Sequence, residues 1–475
     1  MTYTKIVATL GPETSHEKVV EDLIKAGVDV FRLNFSHGSH DDHKERIDLI
    51  RRVSAKIGIE VALLQDLCGP KIRTGKMQPN GVTLKEGAKI SIVTEDIIGT
   101  EERFSCIYAL LPNDVTPGEK ILLDDGSMEL KVESIDNGQV ICTVIRGGLL
   151  KSSKGMNLPG SKISSPALTD KDRYDLEFGL RENVDFIALS FVRDADDIKQ
   201  LREIVGARDI RIIAKIEKPE AIDHIDEIIH EADGVMVARG DLGVEMDLAE
   251  VPVLQKEIIH KANAADRYVI TATQMLESMI ENPFPTRAEV TDVANAVIDG
   301  TDAVMLSGET AVGKYPVVTV KTMTHIARTT ERYLKQQPPR WNWGHINRAT
   351  EVHNAMSRAV LQLYRDLDIK AICAYSSSGG TSVYLSKSRP FAPIIIFTPS
   401  IKALRRMHLY WGVIPVLDTT IKSNDQLNKR ANEFVQEREF AKPGDTILLI
   451  HGSVFGHVGK NSIIEIKTVE GILKR

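Results

Sequence analysis

Cysteine is scarce in this chain: four in 475 residues, at Cys68, Cys106, Cys142 and Cys373, with no CxxC pair. Thiols scattered in this way give no zinc site and fit the reduced state of a cytoplasm. Positive charge is not in excess either. Sixty Lys and Arg stand against 66 Asp and Glu, a net charge of -6, which argues against a general nucleic-acid binder while leaving room for local cationic clusters that hold phosphates. No run of about 18 apolar residues occurs, so no transmembrane helix and no membrane partner is expected. The opening MTYTKIVATLGP enters a strand-like run at once, so no signal peptide is expected. Sequence repeats and low-complexity tracts are missing as well. These absences describe a soluble cytoplasmic protein. Its length predicts more than one domain, and 42% hydrophobic with 27% charged residues is an ordinary globular balance.

What is present is a series of short apolar runs, most followed by helical patterns: KIVATLG (5–11), VDVFRLNFS (28–36), EVALLQD (60–66), DFIALSFV (185–192), IRIIAKIE (210–217), GVMVARGD (234–241), YVITATQM (268–275) and AVMLSGET (303–310). Near-continuous apolarity fits strands buried on both faces of a parallel sheet. Eight βα units in series predict an α/β chain built on a closed (β/α)8 TIM barrel, residues 1–68 and 166–340. Residues 67–184 are far too long for an ordinary crossover. Within them, residues 82–150 alternate with a period of two between Gly, Asp and Asn turns, which predicts an inserted small β-barrel domain at 69–165. It is either a lid over the barrel mouth or a passive decoration. QQPPRWNWGHINRAT (336–350) reads as a linker. AICAYS (371–376), PIIIFT (393–398), VIPVLD (413–418), TILLIHGS (446–453) and SIIEIKTVE (462–470) then predict a C-terminal α/β domain at 350–475 with a mostly parallel sheet.

The expected strands end in polar residues: Arg32, Asn34, Ser36, Asp66, Ser190, Lys215, Glu217, Asp241, Thr273 and Glu309. Barrel enzymes carry their chemistry at that end. Lys215 and Glu217 are two apart on one strand and so share a face. A lysine between two carboxylates, with an arginine across the mouth, suits a divalent metal holding a phosphorylated anion. Taken alone, Lys215 and Glu217 also read as a strand-end ion pair, and Thr273 as a buried hydroxyl satisfied by its own backbone.

Ten motifs in order carry a resemblance: TLGP (9–12), RLNFSHG (32–38), GPKIRTG (69–75), KGMNLPG (154–160), LSFVR (189–193), AKIEKPEA (214–221), ARGDLG (238–243), TATQMLESM (271–279), PTRAEVTDVANAV (285–297) and LSGETAVGKYP (306–316). Over essentially its whole length the chain resembles the pyruvate kinases. The resemblance implies a phosphotransferase that moves the phosphoryl group of phosphoenolpyruvate to ADP, giving pyruvate and ATP in the last step of glycolysis. It implies Mg2+, or Mn2+ in its place, on Glu217 and Asp241, and Lys215 as the group that neutralises the transferring phosphoryl group. Arg32 has the planar fork that fits a phosphate. The resemblance assigns the substrate carboxylate to Thr273 and the Gly240–Asp241 amides, and the ADP phosphates to Asn34, His37, Arg73 and Lys154. Ser190 and Glu309 are read as orienting groups. A homotetramer is expected from the same resemblance.

One segment departs from the family's usual wording. Many members need K+, held at positions matching Asn34, Ser36, Asp66 and the Leu67 carbonyl, and read DTKGPEIRTG; this chain reads DLCGPKIRTG. Lys71, where those members have glutamate, resembles the K+-independent subgroup, its ammonium substituting for the ion. The alternative is that Lys71 faces solvent. In the C-terminal part, Ser376, Ser377, Ser378, Gly379, Gly380, Thr381 and Ser382 form either an anion nest or an ordinary βα turn. The resemblance favours an allosteric sugar phosphate or AMP there, with HGSVFGHVGKNS (451–462) as a second effector loop. Two rivals stay open. An aldol lyase acting on a pyruvate enolate would have no need of Arg73 and Lys154, and an inactive phosphosugar-binding scaffold no need of Lys215, Glu217, Asp241 and Thr273.

Overall fold

The computed structural model describes residues 2–337, 351–452 and 461–471. Most of the linker reading (338–350) and most of the second effector loop (453–460) therefore lie outside the described residues. The eight apolar runs form strands Lys5–Thr9, Val30–Asn34, Ala62–Asp66, Phe186–Leu189, Arg211–Ile216, Gly234–Ala238, Tyr268–Ala272 and Ala303–Leu306. All pair in parallel, and the first meets both the second and the last, closing the ring. Their apolar residues divide by pleat, because successive side chains point to opposite faces. Ile6 and Ala8 pack outward among the helices, whereas Val7 joins Leu64, Ile213, Met236 and Ile270 in the lumen. No helix of the described residues is long and apolar enough to cross a membrane.

The long interval after Asp66 holds a six-stranded sheet in the order Met156–Asn157, Lys120–Leu123, Met128–Asp136, Gln139–Arg146, Lys89–Val93, Arg103–Ser105, with a two-stranded ribbon of Val82–Leu84 and Gly148–Leu150 beside it. Single bridges from Arg73 to Gly155 and from Thr74 to Cys106 stitch its two edges together, so the sheet curls into a small barrel. The chain enters this unit through Gly69. Its φ of +69° suits glycine, and a Cβ there would press on Phe191 Cδ2 at 2.8 Å and Ser190 Cβ at 2.9 Å. The C-terminal sheet runs Val413–Leu417, Ile394–Thr398, Ile369–Tyr375, Thr446–Gly452, Asn461–Thr468, parallel except for the last pair.

The lumen core continues past the base of the barrel into this C-terminal sheet, with the Tyr268 ring edge-on to Tyr410 at 5.7 Å. A buried charge cluster ties the same junction. Asp302 accepts from Lys387 Nζ at 2.5 Å and Arg389 Nη2 at 2.8 Å, and Asn263 Oδ1 accepts from both. Two cations share one carboxylate, and burial, against the pull of Asp302 and helped by Arg389, lowers the Lys387 ammonium to about 8. The unfolded chain holds that proton up to about pH 10.4. Between roughly pH 8 and 10.4 the unfolded state binds more protons, so stability rises with pH there, by on the order of 2 kcal/mol. Chemical denaturation at pH 7.5 and 9.5 should show this gain in the parent and its loss in Lys387→Met; an equal slope in both rules the cluster out as its source.

Candidate active site

The mouth of the barrel is organised around two carboxylates and two cations. Lys215, buried near the end of its strand, places Nζ 2.8 Å from Glu217 Oε1, 3.2 Å from Asp66 Oδ1 and 2.7 Å from Ser190 Oγ. Ser190 in turn donates to the Leu67 carbonyl at 2.7 Å. Arg32 donates through Nε to Asp66 Oδ2 at 2.6 Å and through Nη1 to Thr9 Oγ1 at 3.0 Å. Among the described residues Nη2 of that fork makes no hydrogen bond. Burial alone would raise the Asp66 carboxyl, but Lys215 and Arg32 together hold it below the usual range. Lys215 is the reverse case. Burial opposes its charge, yet Asp66 and Glu217 keep it protonated well above an ordinary lysine.

Glu217 titrates above a normal glutamate because burial and the nearby Asp241 charge outweigh Lys215 and the Phe191 N–H, which donates to its Oε2 at 2.8 Å. Like charges held together in a dry site are relieved by a cation, and oxygen donors suit a small hard one. No group of three or more His, Cys, Asp or Glu able to hold a metal occurs among the described residues. The carboxylate oxygens of Glu217 and Asp241 are the donors at this mouth that could hold a divalent ion.

Thr273 follows its strand with φ of +67°, a rare conformation for a β-branched residue, and Gln274 (+54°) and Phe191 (+54°) share it. Arg239 holds this turn in place: Nη2 donates to the Thr273 carbonyl at 2.6 Å, Nε to that of Ala272 at 3.2 Å, and Nη1 to Asp292 at 2.6 Å. Buried Glu309 accepts from the Leu276 and Ser307 amides at 3.1 and 2.7 Å. The Gly240 amide, expected to face the substrate, donates instead to Thr273 Oγ1 at 2.7 Å, and that hydroxyl donates to the Ala272 carbonyl at 2.6 Å.

The insert overhangs this mouth. Asn157 Nδ2 and Lys218 Nζ both donate to Glu245 Oε1 at 2.8 Å, joining insert to barrel. A narrow crevice opens beside this latch, lined among others by Lys71, Phe191, Arg193 and Asp241. Burial first, then the charges of Arg73, Lys71 and Arg32, depress His37 below an ordinary histidine. Arg73 Nη1 reaches the Ser153 carbonyl at 3.5 Å, and Lys154 Nζ pairs with Asp124 Oδ1 at 2.8 Å.

The monovalent-cation positions are engaged within the protein. Asn34 Oδ1 accepts from the Ser36 amide at 3.2 Å, while Asp66 and the Leu67 carbonyl have the partners given above. Lys71 is not among them; its Nζ lies 3.7 Å from Asp241 Oδ1, facing the crevice rather than open solvent. The loop at 376–382 forms a compact turn. Gly379 has φ of +84°, its amide donates to Ser376 Oγ at 3.0 Å, Ser382 Oγ donates to the Gly379 carbonyl, and Arg406 Nη2 reaches the Ser378 carbonyl at 3.3 Å. Sequence reasoning missed Thr9, Phe191 and Arg239. Of these only Arg239, charged within an apolar strand exit, carried a signal.

Two family models match: "Pyruvate kinase, barrel domain" over residues 1–320 and "Pyruvate kinase, alpha/beta domain" over residues 354–467. The chain is 46% identical to a pyruvate kinase of Staphylococcus saprophyticus over 477 aligned positions, covering 99% of this chain and 81% of that one. It is 44% identical to the Geobacillus stearothermophilus pyruvate kinase, again covering 99% and 81%. A crystal structure of a pyruvate kinase from Cryptosporidium parvum superposes with a TM-score of 0.90 at 35% identity, covering 98% of this chain and 96% of that one.

Proposed function

The chain belongs to the pyruvate kinase family, and we propose that the mouth built on Lys215, Glu217, Asp241 and Arg32 is where it carries out that family's reaction. The activity is transfer of the phosphoryl group of phosphoenolpyruvate to ADP, giving pyruvate and ATP, and the family depends on a divalent metal. The observation that carries the assignment of atoms is Lys215, fully charged in a buried ring of Asp66, Glu217 and Ser190 beside Asp241.

Arg32 holds the phosphate of phosphoenolpyruvate through the free edge of its guanidinium. A β-phosphate oxygen of ADP attacks phosphorus in line, and the bond from phosphorus to the enol oxygen breaks. Negative charge then sits on the transferring group and on the enolate oxygen. Lys215 is already protonated and fixed by its three oxygen partners, so it stabilises that charge without reorganising. Glu217 and Asp241 would hold Mg2+, with Mn2+ as substitute, and the ion would supply positive charge that offsets the negative charge of the substrate. Thr273 orients the substrate carboxylate, and a proton reaches the enolate carbon from its side. Asn34, His37, Arg73 and Lys154 take the ADP phosphates, with Lys154 leaving Asp124 as the insert closes over the nucleotide.

Lys71 supplies at the mouth the positive charge that K+ supplies elsewhere in the family, so K+ is not required. A homotetramer, and a sugar phosphate or AMP bound at 376–382, complete the proposal.

The test is pyruvate release from phosphoenolpyruvate with ADP and Mg2+, once in Na+ alone and once with added KCl. Equal, ADP-dependent release in both, abolished by a chelator, is expected. Release without ADP would be hydrolysis and would sink the kinase assignment, and no release in either salt would favour the lyase or the inactive scaffold. Release only with KCl would discard the role of Lys71.

A further inference from the structure

Asn34 ends the strand Val30–Asn34, His37 lies in the loop that leads to the helix His40–Ile57, and two carbonyls of this loop accept bonds from side chains outside it. The Phe35 carbonyl accepts from Lys171 Nζ at 2.7 Å. Lys171 is itself braced by Asp175 Oδ2 at 2.5 Å, and Asp175 Oδ1 bonds His40 Nε2 at 2.8 Å. The His37 carbonyl bonds His43 Nε2 at 3.0 Å. A carbonyl only accepts, so Nε2 carries the proton of that imidazole. The ring of His43 also lies flat on Phe35, with centroids 4.0 Å apart and planes 13° apart.

His43 is 1% exposed, and among the described residues its Nδ1 has no hydrogen-bond partner. A buried histidine serving only as filler normally satisfies both nitrogens. Here the single bond it makes goes to the loop. Burial, with Arg46 adding to the effect, lowers the ring to about 4, so it stays neutral near pH 7. The helix that carries it starts rigidly, because Ser39 and Asp42 cap each other, Ser39 N–H to Asp42 Oδ2 at 2.7 Å and Asp42 N–H to Ser39 Oγ at 3.2 Å.

We infer that His43 and Lys171 are positioning residues for the nucleotide: by fixing the His37 and Phe35 carbonyls they hold residues 34–38 in the form that presents Asn34 and His37 to ADP. The inference rests on the reading of that loop as facing the nucleotide. Neither residue touches substrate in this account. Their effect reaches the reaction only through the loop, and it falls on ADP rather than on phosphoenolpyruvate, whose phosphate is assigned to Arg32 on the preceding strand.

The test is steady-state kinetics of the full-length enzyme with ADP and phosphoenolpyruvate varied in turn. His43→Leu keeps apolar packing on Phe35 and removes the donor. It should raise the KM for ADP about three- to tenfold, the worth of one hydrogen bond, with kcat and the KM for phosphoenolpyruvate within about twofold. His43→Gln offers an amide N–H near the same point and should bring the KM for ADP back to within about twofold of the parent. Lys171→Met should shift the same constant in the same direction. A parallel rise in both KM values overturns the inference, as does a glutamine variant as defective as the leucine one at equal thermal stability. Should His43→Leu not fold, an unchanged KM for ADP in Lys171→Met and in His43→Gln has the same consequence if His43→Phe, which keeps the stack, is also unchanged. Arg73→Ala reads the nucleotide assignment separately. If it is silent while His43→Leu raises the KM for ADP, the placement of ADP on Arg73 fails and the role of His43 stands.

Discussion

Lys215→Met is expected to lower kcat by at least about 10^3-fold, because it removes the one cation pre-set where charge develops. Arg32 remains, so phosphoenolpyruvate should still bind, and the loss should fall on kcat more than on KM. The variant should also lose stability. In the parent, Nζ lies within 3.2 Å of Asp66 Oδ1 and 2.8 Å of Glu217 Oε1, both about 1% exposed. Methionine leaves those carboxylates facing each other without their cation, and breaking a buried pair costs about 3–5 kcal/mol. Arg32 still bonds Asp66, which keeps the cost toward the lower figure. The pH dependence has a definite sign. Glu217 already titrates above an ordinary glutamate, and without Lys215 it rises further. A raised carboxyl destabilises the fold above its unfolded pKa, about 4.3. The deficit relative to the parent should thus be large at pH 8 and smaller at pH 5. Thermal melts at both values, with kcat measured at pH 7.5, check this. Near-normal turnover would remove Lys215 from the chemistry, and an equal deficit at both pH values would mean the two carboxylates do not feel its loss.

The barrel was legible in the sequence because its eight strands are apolar on both faces, so each stands out as a run bounded by polar exits. The insert was legible for the opposite reason: strands such as Gln139–Arg146 alternate half-buried and buried positions over most of their length. Its closure was not readable, since it depends on two single bridges from Arg73 and Thr74, which lie outside any regular strand. In the site, periodicity placed Lys215 and Glu217 on one face, and motif spacing picked out Asp241. What spacing cannot encode is which partner a long side chain selects across the mouth. Lys71 and the Gly240 amide show this. Each lies near the expected place, but Lys71 turns to Asp241 and the amide to the Thr273 hydroxyl. The positive φ of Thr273 and Phe191 is likewise imposed from outside, by partners such as Arg239 and Glu217 that come from other strands.

Lys71→Glu should make the enzyme dependent on K+, with activity in Na+ alone falling by about 10^2-fold or more and recovering when KCl is added. Two unit charges about 4 Å apart interact by roughly 4 kcal/mol at an effective dielectric of 20. Lys71 Nζ lies 3.7 Å from Asp241 Oδ1, with 31% and 27% of the two side chains exposed. Solvent and salt reduce that figure, but reversing the charge roughly doubles the change, so a hundredfold loss is a conservative expectation. The glutamate would stand beside Asp241 and Glu217, at the point where phosphoenolpyruvate and ADP bring several more negative charges. An added cation must then restore the balance. Asn34, Ser36, Asp66 and the Leu67 carbonyl still offer oxygens to one, because each carbonyl or carboxylate oxygen that accepts a hydrogen bond here keeps a second lone pair. Lys71→Met separates missing charge from reversed charge. It should fall between parent and glutamate variant in Na+ and respond to K+ as well. A glutamate variant still fully active without K+ would show that the ammonium of Lys71 does not take the ion's place. One inactive in both salts while retaining its fold would show that Lys71 is needed for the pairing with Asp241 itself, a role no monovalent ion at the other four positions can fill.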